Sequence, residues 1–146
     1  MGAKVAQPDK AVVAVSGDGG FLYNSQELAT AVQYGINAVV IVFNDNAFGN
    51  VLRDQINLFD GRAIGAELHN PDFVKLAEAY GARGLAVTQP EDMAAAVDWA
   101  VRTPGPVVVD VQVARGENCF PMIPAGAGLK DMIDTGEAIP SGYQLN

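Results

Sequence analysis

Residues 11–20 read Ala-Val-Val-Ala-Val-Ser-Gly-Asp-Gly-Gly. The first half, Ala11 to Val15, is short, continuously apolar and rich in β-branched side chains, the pattern of a strand buried on both faces of a parallel sheet. It stops at Ser16-Gly17-Asp18-Gly19-Gly20, where glycines allow the backbone to turn sharply. Asn24-Ser25-Gln26-Glu27 then has the form of a capping box, with Leu28, Ala31, Val32 and Gly35 following at helical spacing, so a helix is expected from near Asn24. A second apolar stretch, Ala38 to Phe43, ends in the polar turn Asn44-Asp45-Asn46-Ala47-Phe48-Gly49. Strand, crossing helix and strand make one βαβ unit.

The alternation continues along the chain. Pro71 opens a helix through Tyr80 that Gly81 stops, Gly84 to Thr88 is a short strand, Pro90 opens a helix to about Arg102, and Pro106 to Val113 is the last strand. The fold class is therefore α/β, a mostly parallel sheet with helices on both faces. Residues 1–113 are read as one domain whose N-terminus is truncated, because Gly2 to Ala6 look like the last turn of a helix without its beginning. Residues 114–146 are read as a Gly/Pro-containing tail without periodicity, serving as functional cover or disordered.

Composition narrows the partners. The 146 residues, 49% apolar, suffice for one substantial core. Seventeen acidic against nine basic residues give a net charge of -8 with no basic run, which argues against nucleic acid or an anionic membrane. No apolar run reaches the roughly 18 residues of a membrane span, and Met1-Gly2-Ala3-Lys4 does not begin a secretory signal, so a cytoplasmic location is expected. Cys119 is the single cysteine, which excludes an internal disulfide and a multi-cysteine zinc site. His69, also alone, reads as a loop or surface residue, Trp99 as helix packing, and Arg53 and Arg62 as solvated loop arginines in preference to partners of a substrate carboxylate.

The chemistry gathers where strands end. Open parallel sheets bind ligands outside the carboxyl ends of their strands, and two strands here end in turns rich in oxygen and glycine. If those strands lie close, Asp18 and the Asn44-Asp45-Asn46 group sit roughly 5 to 10 Å apart, within reach of one cation. Mg2+ suits such a pair, since it prefers hard oxygens and is commonly held by one or two carboxylates plus the phosphates of its ligand. The N–H groups of Gly17 to Gly20, with the N-terminus of the following helix, could meet those phosphates. A tight turn that binds nothing would account for the glycines alone, and an Asx turn for Asn44 to Asn46 alone. Their joint placement at two consecutive strand ends points to a ligand site, for which a phosphorylatable aspartate domain or a nucleotide site also stands open. Neither a Gly-x-Gly-x-x-Gly fingerprint nor a Gly-Lys-Ser/Thr phosphate loop is present.

Gly17-Asp18-Gly19 followed by Asn44-Asp45-Asn46 resembles the Gly-Asp-Gly to Asn-Asn motif of thiamine diphosphate enzymes. The likeness extends through Asn24-x-Gln26-Glu27-Leu28-x-Thr30-Ala31-x-Gln33-Tyr34 and the Pro71 to Tyr80 helix. It reaches Glu117-Asn118-Cys119-Phe120-Pro121-Met122-Ile123-Pro124, which is similar to the tail of acetolactate synthase large subunits. The chain is identified by this resemblance as the diphosphate-binding domain of the acetolactate synthase-like superfamily, with thiamine diphosphate and Mg2+ as cofactors. The resemblance implies that Asp18 and Asp45 bind Mg2+ through their side chains and Ala47 through its carbonyl. Gly17, Gly19 and Gly20 would form the diphosphate turn, and Gly49 and Val51 would lie along the cofactor's path.

Two departures from the family pattern stand out. The second ligand position, usually asparagine, is Asp45, a competent magnesium ligand that adds a negative charge beside the diphosphate. The line Gly49-Asn50-Val51-Leu52-Arg53-Asp54-Gln55 lacks the tryptophan of the acetolactate synthase Gly-Met-Val-x-Gln-Trp-Gln segment, so a decarboxylase, oxidase or other carboligase acting on a small 2-oxo acid fits as well. The chain carries no candidate catalytic residue of its own. In the family the cofactor performs the carbanion chemistry, and the activating glutamate lies on a pyrimidine-binding domain of a partner subunit, which nothing here resembles. An oligomer is therefore expected, and the chain reads as a fragment, an independently encoded small subunit or a non-catalytic module.

Overall fold

The computed structural model describes residues 1–115, 120–123 and 126–134. Four strands, β1 (Val13–Gly17), β2 (Val39–Asn44), β3 (Arg83–Val87) and β4 (Val107–Gln112), form an all-parallel sheet in the order β1-β2-β4-β3. The helices are α1 (Gly2–Ala6), α2 (Asp18–Leu22), α3 (Glu27–Gln33), α4 (Gly49–Leu58), α5 (Phe73–Ala79) and α6 (Met93–Arg102). The last strand is inserted between β2 and β3, where both faces are covered. That position matches its unbroken Val107-Val108-Val109 run, all three fully buried.

Side-chain alternation divides the core in two. Val39, Ile41, Val107, Val109 and Val111 pack with Val87 under Ala96 and Ala100 of α6, with Trp99 partly buried at the edge of this cluster. On the other face Val42 and Val108 pack with Phe21, Leu28, Phe73, Ala77 and Ala82. Phe21 and Phe73 meet edge to face, ring centroids 5.4 Å apart. Gly84 lets α5 settle directly on β3, since a Cβ there would stand 2.7 Å from the Val74 Cα.

Three expectations are corrected. The first strand lies two residues further on than Ala11 to Val15 and forms the sheet edge, with Val15 65% exposed and only Ser16 half-buried. Its apolar run is not a sign of double burial, because α6 packs over β4 and β3 and leaves β1 open. The helix expected from Asn24 is split: α2 begins at Asp18 itself, and α3 follows with Gln26 at its N-cap and no side-chain cap. The capping box goes unused because the N–H groups of Glu27, Leu28 and Ala29 already bond the carbonyls of Asn24, Ser25 and Gln26, at 3.0 to 3.1 Å. Lastly, α4 occupies a stretch in which no element was expected, although Val51, Leu52, Gln55, Ile56 and Phe59 recur on one helical face.

Substituting Gly84→Ala forces α5 away from β3 and is expected to lower unfolding free energy by about 1–3 kcal/mol, read as a reduced midpoint in urea denaturation.

Candidate functional site

The register Gly17↔Phe43 brings the ends of β1 and β2 side by side, so the residues just beyond them are neighbours. Asp18 is 2% exposed, and its carboxylate is met by three donors. The Gly19 N–H donates to Oδ1 at 2.8 Å, the Asn46 N–H to Oδ2 at 2.8 Å, and the Asn70 Nδ2 also to Oδ2. Asn46 takes φ 58°, a left-handed conformation that asparagine tolerates. An ionised carboxylate offers about four acceptor directions, so one, on Oδ1, is left for a further partner.

The turn after β2 is braced from both sides. Asp45 Oδ1 accepts from the Ala47 N–H at 3.1 Å, an Asx turn, and Asp45 Oδ2 lies against Gly49, where a Cβ would come within 3.1 Å. Phe48 N–H to Ala66 O and Leu68 N–H to Asn46 O bind this turn to residues 66–68. Ala47 itself pairs with Glu67 in that antiparallel bridge, but its own carbonyl takes no part in those bonds. Arg115 clamps the outside, donating to the carbonyls of Asp45 and Asn46 and pairing with Glu67 at 3.0 Å.

Gly17 closes β1 and caps α2, and Gly19 and Gly20 lie in its first turn. A Cβ on Gly19 would run into the Phe48 ring, which stacks on Tyr23, so any larger residue there would have to displace that ring. Gly49 and Val51 stand in the first turn of α4, with Val51 exposed. Arg53, expected as a solvated loop arginine, is half-buried in α4 and pairs with its neighbour Asp54, whereas Arg62 pairs with Asp60 on the solvent side. Cys119, Glu117, Asn118 and Pro124 lie outside the described residues.

Sequence reasoning missed a line of polar side chains behind Asp18. Asn70 Nδ2 also donates to Asn44 Oδ1 at 2.9 Å, Asn44 Nδ2 to Asp110 Oδ1 at 3.0 Å, and Gln112 Nε2 to Asp110 Oδ2 at 2.9 Å. These groups line a cleft of about 400 Å³ at the head of α5. The available signal was Asp110, an acidic residue interrupting an apolar strand next to the strand that carries Asn44. Burial pushes the Asp110 carboxyl above the ordinary 3.8; the Asn44 and Gln112 hydrogen bonds oppose the shift, and the Asp72 and Asp18 charges add to it.

A parallel α/β sheet carrying hard-oxygen and glycine turns at the carboxyl ends of adjacent strands defines a ligand-binding domain of the open-sheet class. Residues 1–111 match the family model of the thiamine pyrophosphate enzyme C-terminal TPP binding domain. The chain belongs to that family, in its acetolactate synthase-like branch. It is 38% identical over 147 residues to the acetolactate synthase large subunit of Parasynechococcus marenigrum, covering 99% of this chain and 23% of the relative. It is also 38% identical to the probable acetolactate synthase large subunit of Methanocaldococcus jannaschii, over 91% of this chain and 22% of that one. The thiamine diphosphate-dependent 4-hydroxybenzoylformate decarboxylase of Rhodococcus jostii RHA1 superposes with a TM-score of 0.74 at 35% identity, over 80% of this chain and 22% of its own. The chain thus spans less than a quarter of the length of each of these relatives. Among the described residues no helix is long and apolar enough to cross a membrane.

Because the folded state holds a proton on Asp110 more tightly than the unfolded chain does, the stability tied to that proton is complete below 3.8 and is lost as pH rises through the raised value. Asp110→Asn is not subject to this loss. Its Tm minus that of the wild type is expected to climb from about pH 4 towards neutrality, whatever constant offset the amide adds, as followed by thermal unfolding across that range.

Proposed function

We propose that this chain holds thiamine diphosphate and Mg2+ at the carboxyl ends of β1 and β2, as the cofactor-binding part of an enzyme that decarboxylates or ligates small 2-oxo acids. The observation that carries the reading is Asp18, a buried carboxylate fixed by three donors with one acceptor direction to spare, beside a turn that presents Asp45 and Ala47. This donor set fits Mg2+, which takes oxygen ligands and leaves several positions for phosphate and water. Among the described residues no three acidic, histidine or cysteine side chains form a metal cage, so the cation would rely on its ligand's phosphates for the rest.

Asp18 and Asp45 would bind the cation through their carboxylates and Ala47 through its carbonyl. Gly17, Gly19 and Gly20 would let the diphosphate approach the backbone, with Gly49 and Val51 beside its path. Bound thiamine diphosphate supplies the carbanion chemistry. The protein's own part is to hold the negative charges of Asp18, Asp45 and the diphosphate around one cation and to fix the cofactor's direction out of the sheet.

A pyrimidine-binding domain or subunit completes the site in this reading, and the assembly is a homo- or hetero-oligomer. What supports a partner is α4, which has no buried residue and exposes Val51, Ile56 and, just beyond its end, Phe59. With the activating glutamate on the partner, the chain by itself binds cofactor without turnover.

In titration calorimetry the chain is expected to bind thiamine diphosphate only with Mg2+ present, and Asp18→Ala to weaken binding by about 100-fold or more. Binding indifferent to Mg2+ and to the substitution, or a response to acyl phosphate in place of thiamine diphosphate, would overturn the assignment.

A further inference from the structure

We infer that Asn70 is a positioning residue that leaves Asp18 a single acceptor direction and thereby sets the preference of the site for Mg2+ over larger cations. The inference rests on the reading of Asp18 as a cation ligand. Its geometry is independent of that reading. One amide nitrogen of Asn70 serves two acceptors, Asp18 Oδ2 and Asn44 Oδ1, while its own buried Oδ1 has no hydrogen-bond partner among the described residues. Turning the amide over would set its oxygen against both acceptors, so the orientation is forced from outside the residue. A buried carbonyl left unmatched is uncommon, and here it is tolerated to keep both donors on Asp18 and Asn44.

The backbone holds this amide in place. Pro71 confines Asn70 to an extended conformation, and Asp72 caps α5 immediately afterwards by accepting from the Lys75 N–H at 3.0 Å. Asn44 is anchored in turn by Asp110, and Asp110 by Gln112, so the far end of the line cannot swing. With Asn46 N–H and Asn70 both on Oδ2, that oxygen is saturated and Asp18 can offer a cation only Oδ1. A one-oxygen carboxylate contact suits the compact octahedron of Mg2+. Ca2+, with more ligands and freer geometry, gains from a carboxylate that can chelate through both oxygens. Removing the Asn70 donor frees Oδ2 and is expected to shift the balance towards Ca2+.

The test titrates MgCl2 and CaCl2 into the chain in the presence of thiamine diphosphate, for wild type, Asn70→Ala, Asn70→Ser and Ala100→Gly. Asn70→Ala is expected to lose about 10- to 100-fold in Mg2+ affinity and markedly less for Ca2+. Asn70→Ser, which keeps one donor, is expected to fall between it and the wild type. Ala100→Gly, a buried position of α6 on the opposite face of the sheet, loosens the fold at a distance and is expected to keep the wild-type ratio, so a drop in stability does not mimic the effect. A Mg2+ to Ca2+ ratio within about twofold of wild type in every Asn70 variant that folds overturns the inference while leaving the cofactor reading intact. Failure of the wild type to bind either cation with thiamine diphosphate refutes the cofactor reading, and the inference falls with it.

Discussion

A carboxylate withdrawn from water at the end of a sheet loses several kcal/mol of hydration unless donors replace it, and Asp18 is such a group. Its three donors come from three separated pieces of chain: the residue beside it, the turn after β2, and the segment leading into α5. Each imposes a condition on the fold. The β1–β2 register must place Gly17 opposite Phe43, Asn46 must turn left-handed, and α5 must begin where Pro71 and Asp72 start it. A slip of one residue between β1 and β2 would carry the Asn46 N–H away from the buried carboxylate, so the polar site and the strand register reinforce each other.

The same reasoning explains why polar groups penetrate the sheet at this end and nowhere else among the described strands. Asn44, Asp18 and Asp110 are the buried polar side chains of the described fold, and all three belong to one hydrogen-bonded line. In a low-dielectric setting such a line is stable only when almost every member is paired. The exception, Asn70 Oδ1, marks the point where two acceptors compete for one amide. The apolar halves of the strands lie at the opposite end, where Val39, Val107 and Val108 close the core without any polar demand.

Coverage of the two faces is unequal, and the inequality bears on assembly. Among the described residues the helix-rich face carries α2, α3 and α5, whereas α6 alone packs over β3 and β4 on the other. Among the described residues β1 is left as an open apolar edge, and α4 as an amphipathic helix with no buried side chain. Both features sit beside the strand ends that carry Asp18 and Asp45, so the uncovered surface and the candidate site share one region of the molecule.

The sequence by itself determined the class of the fold, the parallel strands and the two strand-end turns. These follow from local chemistry: β-branched apolar runs, glycines where the chain turns, prolines ahead of helices. The Gly17-Asp18-Gly19 and Asn44-Asp45-Asn46 signals were likewise legible because each is contiguous. What only the tertiary structure decided were relations between distant residues: the insertion of β4 between β2 and β3, the exposure of β1, and the meeting of Asn70, Asn44 and Asp110 behind Asp18. An apolar run reads the same at an edge as at the centre of a sheet, and an asparagine before a proline reads as a turn, because the partner that gives either its meaning is supplied by chain packing and not by its neighbours in sequence.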